Sequence, residues 1–371
     1  MNPSNVRKPR LRVIVDGAEV AAISAEVTNN NFFQADAWQI DCALFADFRY
    51  GIQWWDTRTG KPIEIAMGFE VSGSVSWTTL ITGTADLADY DIDAGIVTLS
   101  GRDYTSRLID HKTTETYQNM SASAIVQKLA AAVGMTADVT PTRGNVGRFY
   151  DQNTTHHSQS TVGQTQTAWD MVVFLARREG YDVWVTGTTI HFHPAGASTE
   201  QPRIIRVDLP TFTHPSLPVA RHAPSEVSRL RLNQREHLAR DVKIVVSSFN
   251  SRTGRRIERS YPSADRRVRS TSQGQQVTLY EFQLPDATEE QLLQEAQRKY
   301  LEIIQHTREV SWEEPGELLV NPRRKVLLSG DLGSYAQEYF VDSVTRRIRT
   351  DGGFTQEVRA KNKAPSQEEP Q

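Results

Sequence analysis

Two different periods of apolar residues divide the chain. Over residues 11–110 apolar and polar residues alternate, as at Trp38, Ile40, Cys42 and Leu44. A period of two places successive side chains on opposite faces of a β-strand. This part of the chain is therefore predicted to form an antiparallel sheet or barrel.

The period changes to that of a helix after Met120. Apolar residues recur at helical spacing over residues 125–133. Ser121 or Ser123 can cap the start of this helix, and Gly134 is placed to end it. The sequence therefore predicts a helix between two small residues that suit its two ends.

A second helix is predicted over residues 168–179. Thr167 and Asp170 have the spacing of a capping box, in which each residue satisfies a backbone donor of the other. The alternating segments 181–185 and 189–193 follow across a Thr-Gly turn and predict a hairpin.

The region after the hairpin is predicted to be extended and then β-rich again. Residues 201–224 contain five prolines and are expected to form a connector. Alternating segments return after residue 225, and the longest helix is predicted over residues 287–306. The polar residues 361–371 are predicted to be a disordered tail.

One β-rich stretch occurs twice in the chain. Residues 81–110 return in blurred form over residues 340–361, and Leu87 of the first copy aligns with Val344 of the second. In both copies an apolar strand leads to an alternating strand, a glycine turn and another strand. Self-similarity at long range predicts two copies of one module.

Composition limits the class of protein. The chain has 371 residues, enough for two or three domains, with 38% hydrophobic and 23% charged residues and a net charge of -3. No apolar run approaches the roughly eighteen residues of a membrane span, so no integral membrane association and folding in a cytosol are expected. The single cysteine, Cys42, excludes an internal disulfide and is predicted to be an inert core thiol.

A search for catalytic and metal-binding motifs finds no recognisable pattern. The chain lacks G-x-S-x-G, a phosphate loop, G-x-G-x-x-G and H-E-x-x-H. His156-His157 and His191-x-His193 are the best metal candidates, and the second pair shares a strand face but has no evident third ligand. We therefore predict no catalytic residue, no cofactor and no metal, and a protein that is not an enzyme.

A basic hairpin is a candidate contact surface. Seven arginines crowd residues 252–269, where two acidic residues offset them. Such a patch can attract a phosphate backbone, but neither a helix-turn-helix nor a stacking platform accompanies it. We expect Arg255 and Arg256 to serve protein contact or solubility, and we expect no sequence-specific nucleic acid binding.

Two pairs of adjacent aromatic residues are further candidates for an interface. Phe32 and Phe33 lie in an asparagine-rich loop, and Trp54 and Trp55 follow a polar turn. Neighbouring residues on a strand point to opposite faces, so one aromatic of each pair would be exposed in a monomer. Large aromatics are enriched at interfaces, and all four are predicted to lie at subunit or partner contacts.

The order of several segments resembles the central hub proteins of phage baseplates. The first group is VTLSGRDYTSRLID, SASAIVQKLAAAVGM and TAWDMVVFLARREGYDVWVTGTTIHF, and the second is DVKIVVSSFNSRTGRRIERSYP, ATEEQLLQEAQRKYLEIIQH and EPGELLVNPRRKVLLSG. These hubs are the late control D type proteins of contractile tails, akin to the N-terminal hub part of the VgrG spikes of type VI secretion. The resemblance spans about residues 11–360.

The resemblance implies a β-rich α+β fold. Two similar antiparallel β-barrels of the tail-tube type would enclose a small α/β insert domain between them. The implied division of the chain is a first barrel over 8–112, the insert over 113–200, the proline-rich connector over 201–224, a second barrel with the long helix and basic hairpin over 225–360, and the tail over 361–371.

The resemblance also implies a structural function. Three chains with two barrels each would form a homotrimeric ring of quasi-sixfold symmetry that adapts the hexameric tail tube to the trimeric central spike. The implied partners are the chain itself, the tail tube protein, the central spike protein, other baseplate proteins and the tape measure protein. The implied location is the tail baseplate of a virion assembled in the host cytoplasm. The alternative is a peptidoglycan-binding or peptidoglycan-cleaving tail protein, because the insert has the size of a small peptidoglycan-binding fold.

Overall fold

The computed structural model describes most of the chain. The described residues are 8–47, 50–58, 60–113, 117, 120–143, 145–146, 166–195, 201–207, 227–234, 242–250, 255–262, 278–284, 287, 289–304, 308–318, 320–350 and 353–362. His156 and His157, most of the predicted connector, the arginines after Pro262 and nearly all of the predicted tail lie outside these residues.

The N-terminal region forms strands where the sequence alternates. The elements are β1 Lys8–Val15, β2 Ala18–Val20, β3 Ala22–Asn30, β4 Ala37–Ala43, α1 Ile52–Asp56, β5 Pro62–Val71, β6 Ser74–Asp91, β7 Ile96–Asp103 and α2 Thr105–Asp110. One apolar core collects alternate residues of these strands, among them Val13, Ile40 and Ile65. Cys42 is fully buried in this core, and burial raises the pKa of its thiol to about 12, which confirms the inert core thiol.

The middle region combines helices and short strands. The elements are β8 Lys112–Thr113, β9 Met120–Ser121, α3 Ala122–Ala132, β10 Thr136–Val139, β11 Asn145–Val146, β12 Gln166–Thr167, α4 Ala168–Glu179, β13 Tyr181–Thr186 and β14 Thr189–Pro194. Both predicted helices are present, with Ser121 as the N-cap of α3 and the Thr167–Asp170 capping box on α4. They share a second apolar core with the three-stranded sheet β10-β14-β13.

The C-terminal region is mostly strand with one long helix. The elements are β15 Arg203–Val207, β16 Ser228–Gln234, β17 Val242–Asn250, β18 Arg255–Tyr261, β19 Thr278–Gln283, α5 Glu289–Ile304, β20 Arg308–Pro315, β21 Lys325–Gly330, β22 Glu338–Arg349 and β23 Gly353–Asn362. A short 3-10 helix, Gly333–Tyr335, lies between β21 and β22. Among the described residues, no helix is both long and apolar enough to cross a membrane.

One large sheet joins the two ends of the chain. Its 13 strands include the path β16-β20-β23-β22-β3-β4-β7-β6-β5-β1-β2, and β15 and β21 are attached beside β22. All pairs along this path are antiparallel, whereas β15 pairs with β21 in parallel. The fold is therefore β-rich with a large antiparallel sheet.

The C-terminal region differs from the predicted connector at its start, and it contains a second sheet. The start of the predicted connector forms β15, because Ile205 and Val207 alternate into the third apolar core. The long helix and basic hairpin do not join the large sheet: α5 packs on the separate sheet β18-β17-β19 around Val242, Ile244 and Leu292. The described part of residues 225–360 therefore contains strands of the large sheet and a separate three-stranded sheet under α5.

The repeated hairpins β6–β7 and β22–β23 share a structural signature. In each, the first strand carries a β-bulge at an aspartate, Asp86 in β6 and Asp342 in β22. Each carboxylate binds a basic side chain of the second strand: Asp86 lies 2.7 Å from Arg102, and Asp342 lies 2.9 Å from Lys361. In both hairpins the basic residue pairs across the strands with the residue that lies two positions before the aspartate in sequence. The two hairpins therefore share a β-bulge and also an ion pair between their strands.

The strand pair β3–β22 connects the two copies. After its bulge, β22 changes neighbour from β21 to β3, and residues 343–349 pair with β3 in antiparallel register. On the outer face of this pair, Glu26 and Arg347 form an ion pair of 2.7 Å. On the inner face, Val27 and Arg346 stand opposite each other and both are buried.

Candidate assembly surfaces

The first predicted aromatic pair lies in a tight turn that contacts the rest of the same chain. Phe32 and Phe33 both have positive φ, 54° and 69°, which is uncommon for bulky residues and must be held by surrounding contacts. The indole of Trp169 donates a hydrogen bond to the Phe33 carbonyl at 3.1 Å, and the Phe33 ring packs against the second core. The Lys361 ammonium lies 5.6 Å from the centre of the Phe32 ring. The turn therefore links three parts of one chain.

The second predicted pair lies on a helix instead of a strand, and this changes the interpretation of Trp55. Trp55 is 1% exposed, and its indole donates to the Tyr50 carbonyl at 3.1 Å. The prediction that Trp55 lies at an interface is therefore wrong, because the helical turn of α1 directs it into the first core. Trp54 stays half-buried, with the Arg58 guanidinium 3.9 Å from its ring centre.

Replacing Trp55 by phenylalanine is expected to destabilise the folded chain. The smaller ring leaves a cavity and leaves the Tyr50 carbonyl without its indole donor, at a cost of about 1–3 kcal/mol. Trp54→Phe is the matched control and is expected to change stability little, because a ring can still stack under Arg58. Urea unfolding of the three proteins measures the difference, and equal midpoints for both variants would contradict the assignment of Trp55 to the core.

The predicted basic residues lie on β18. Arg256 is exposed, and its guanidinium forms an ion pair of 2.6 Å with Glu258 on the same strand. Arg255 begins β18 opposite Asn250, and its side chain is not among the described parts. Their role in a contact stays a prediction.

Several strand edges of the large sheet are open among the described residues, and two of them belong to the repeated part of the fold. Within that part of the chain, β16 has a single neighbour, β20, and the side of residues 87–91 of β6 that faces away from β7 has no partner strand. Leu87 is 60% exposed at this second edge. Unpaired edges of a sheet are sites where another chain can add a strand.

Two carboxylates, the partly buried Asp36 and the buried Asp103, lie beside the β3–β22 connection. Asp36 accepts hydrogen bonds from the Asn30 amide and the Asn29 side chain, each at 2.7 Å. Asp103 accepts from the Thr105 hydroxyl at 2.8 Å. Burial, together with the nearby Asp36 carboxylate, raises the pKa of Asp103 to about 8.

The raised pKa of Asp103 predicts that stability falls with pH. The folded chain holds a proton on Asp103 that the unfolded chain releases near its ordinary pKa, 3.8. The stabilisation that this proton gives the folded chain is fully present below pH 3.8 and is lost as pH rises through about 8. The free energy of unfolding should therefore be higher at about pH 5 than at about pH 9. Asp103→Asn cannot ionise, and it should lose less stability over this range than the natural chain. Parallel pH profiles for both proteins would contradict the assignment.

The predicted histidine pair lies beside a carboxylate, Asp138, that the sequence pattern does not indicate. Strands β10 and β14 pair in parallel, and Asp138 stands opposite His191. The Asp138 carboxylate lies 3.0 Å from His191 Nδ1 and 3.2 Å from His193 Nε2. Asp138 is therefore a third candidate ligand, and the prediction of a pair without one is wrong. Asp138 is 53 residues from His191 in sequence, and only the strand pairing brings them together.

Comparisons with solved structures identify the fold. A tail protein from Neisseria meningitidis MC58 is similar over 96% of this chain and 97% of its own, with a TM-score of 0.68 and 14% identity. The 43 kDa tail protein of prophage MuSo2 from Shewanella oneidensis is similar over 95% of this chain and 98% of its own, with a TM-score of 0.64 and 14% identity. No protein-family model and no curated protein matches the chain.

A third similar structure belongs to a secretion system. It is an Escherichia coli component of the type VI secretion system, described as structurally similar to the T4 bacteriophage tail proteins gp27 and gp5. It matches 95% of this chain and 77% of its own, with a TM-score of 0.51 and 10% identity. The chain therefore has the fold of phage tail proteins, and the resemblance predicted from the sequence is confirmed at the level of the fold.

Proposed function

We propose that the chain is the structural hub of a phage or phage-like tail baseplate. In this proposal it forms a homotrimeric ring of quasi-sixfold symmetry and adapts a hexameric tail tube to a trimeric central spike. The fold shared with phage tail proteins supports the general class. The observation that carries the ring is the β3–β22 strand pair, which already joins two similar hairpins within one chain.

The large sheet is proposed to consist of two tube-type barrels. The first contains β1, β3, β4, β5, β6 and β7, and the second contains β15, β16, β20, β21, β22 and β23. The first and third apolar cores and the matched aspartate bulges support this division, and Ile348 and Phe354 of the second group complete the first core where the two groups meet. The α/β layer with α3 and α4 is then an insert between them, and the layer with α5 decorates the second barrel.

The open edge of β6 corresponds to the edge of β22 that is already paired. Counting from the two bulges, Tyr90 takes the place of Arg346 and Asp91 takes the place of Arg347. Both Tyr90 and Arg346 face inward, and both Asp91 and Arg347 are exposed. Inward-facing and exposed side chains therefore alternate along the β6 edge as they do along the edge of β22 that pairs with β3.

The open edge of β16 corresponds to β3 in the same way. β3 lies beside β4, which pairs with β7, the second strand of one hairpin. β16 lies beside β20, which pairs with β23, the second strand of the other hairpin. In this register Leu232 takes the place of Val27 and Arg231 takes the place of Glu26. Leu232 packs against the third core, whereas Arg231 is exposed.

Repeating the β3–β22 contact between chains would therefore pair β16 of one chain with β6 of the next. Arg231 would face Asp91, in the place where Glu26 and Arg347 form their ion pair within the chain. In the proposed contact the basic residue is on the strand that corresponds to β3 and the acidic residue is on the strand that corresponds to β22. The two facing charges are still opposite, which favours this register. Because each chain has one edge of each kind, identical contacts can close a ring, and with two barrels per chain three chains complete a quasi-sixfold ring.

The proposed partners follow from the proposed position. One face of the ring would meet the tail tube protein and the other the central spike protein, and other baseplate proteins and the tape measure protein would contact it. The proposed location is the baseplate of the virion, after assembly in the host cytoplasm. The role is structural, without catalysis and without sequence-specific reading of nucleic acid.

Light scattering and negative-stain imaging test the ring. The full chain at high concentration is expected to have three times the monomer mass of 41.8 kDa and to appear as a ring with six similar densities. A chain that stays monomeric at high concentration, even with its tube and spike partners present, would overturn the proposal. Cleavage of purified peptidoglycan by the isolated chain would favour the peptidoglycan-cleaving alternative.

A further inference from the structure

We propose that Asp138, His191 and His193 form a binding site for a divalent transition-metal ion of the zinc class. Two imidazoles and one carboxylate are ligands that zinc accepts, and a site with three protein ligands leaves a position for water or another group. The site lies on the α/β layer, and it does not depend on the proposed ring.

The strand backbone fixes the three side chains on one face. His191 and His193 are alternate residues of β14, and Phe192 between them is fully buried in the second core. Because Phe192 anchors the inner face, both imidazoles must point to the outer face. The parallel register with β10 brings Asp138 to the same position along the sheet as His191.

The spacing of the ligand atoms suits one ion with small adjustments. One Asp138 oxygen lies 3.0 Å from His191 Nδ1 and 3.2 Å from His193 Nε2, and all three ligand atoms lie within 4.8 Å of one another. Ligands at about 2.0–2.1 Å from a tetrahedral zinc ion are roughly 3.3 Å apart. The two carboxylate distances are close to that value. The third distance, between the two imidazole nitrogens, is set by the histidine rings, and small rotations of these rings would bring both nitrogens to the ion.

Neighbouring side chains hold both rings in place. The Thr140 hydroxyl lies 2.9 Å from His193 Nδ1, so the other ring nitrogen is the one directed at Asp138. A hydrogen bond to the second ring nitrogen is typical of histidines that bind metals, because it fixes the tautomer and the ring orientation. The Trp184 ring stacks on His191 with centres 5.0 Å apart and an angle of 14° between the planes.

The site is accessible, and charges of both signs lie near it: the Arg323 guanidinium is 4.7 Å from the centre of the Trp184 ring. Asp182 stands opposite His193 on β13 and adds a second carboxylate to this face. The side chains of His191 and His193 are 22% and 26% exposed, and that of Asp138 is 58% exposed. An ion held here would join β10 to β14 and would keep a coordination position toward solvent.

Metal titration of the full chain tests the site. After treatment with a chelator, the chain is expected to bind one equivalent of Zn²⁺ in calorimetry at neutral pH and to give the absorption of a low-symmetry Co²⁺ complex. Zn²⁺ should also raise the melting temperature, since it binds the folded state. His191→Ala with His193→Ala and, separately, Asp138→Asn should abolish or strongly weaken binding. Thr140→Val should weaken it by about 10–100-fold.

A matched control separates this site from other histidines. His111→Ala removes a histidine outside the cluster and should bind Zn²⁺ as the natural chain does. Circular dichroism without metal should show all variants folded, and Asp138→Asn keeps the shape of the side chain if the histidine variants do not fold. Absence of Zn²⁺ binding, or unchanged binding in the His191/His193 double variant or in Asp138→Asn, would overturn the proposal. In that case the three side chains are held together by hydrogen bonds alone.

Discussion

Replacing Arg231 by glutamate is expected to break the proposed ring into separate chains. The substitution places two carboxylates opposite each other at every contact between β16 and β6, where Arg231 would otherwise face Asp91. Like charges directly opposite on paired strands cost about 1 kcal/mol at each contact. Three contacts close a ring, so the trimer association constant should fall by about a hundredfold. Sedimentation or light scattering over a range of concentrations measures it.

The reciprocal substitution tests the register of this contact. Asp91→Arg combined with Arg231→Glu restores opposite charges and should recover part of the lost assembly. Asp91 also accepts a hydrogen bond from the Ala94 amide at 2.9 Å, so the double variant is compared with Asp91→Arg alone. Arg143→Glu makes the same charge change at an exposed loop residue and serves as the control. If Arg231→Glu assembles as well as Arg143→Glu, the proposed register is wrong.

Local features of the fold could be predicted from the sequence because their causes are local. The caps of α3 and α4 depend on residues within one turn of each helix. The sequence offered Ser121 or Ser123 for α3, of which Ser121 is the cap, and Thr167 for α4. The repeated hairpins could also be recognised. The sequence alignment of the two hairpins differs from the structural one by one residue. When the two bulges are superposed, Leu87 corresponds to Ser343 and not to Val344, because the hairpin arms differ in length.

Features that depend on distant pairing could not be read from the sequence. The parallel partner of β15 is more than a hundred residues away, so Ile205 looked like part of a connector. Asp138 joins the histidine pair only through the β10–β14 pairing. Trp54 and Trp55 were misread for another reason: a helix of five residues is too short to show a period.

Arg346 is the residue whose removal should disrupt the connection between the two copies most. Its side chain is almost fully buried at 3% exposure. It donates to the Glu317 carbonyl at 3.1 Å, to the Asn29 side chain at 2.9 Å and to the Val320 carbonyl. Asn29 in turn donates to the partly buried Asp36 carboxylate. Burial lowers the pKa of Arg346 to about 10, which still leaves it charged at neutral pH.

Arg346→Ala is therefore expected to destabilise the chain by about 3–5 kcal/mol, because buried acceptors lose their donors and nearby carboxylates lose a compensating charge. Arg347→Ala is the matched control on the same strand. Arg347 is 46% exposed in its ion pair with Glu26, so its loss should cost at most about 1 kcal/mol. Urea unfolding at neutral pH compares the two, and Arg346→Lys should rescue little, since an ammonium cannot reach three acceptors in the planar arrangement of a guanidinium. Equal destabilisation by Arg346→Ala and Arg347→Ala would show that the connection rests on strand pairing and not on this buried arginine.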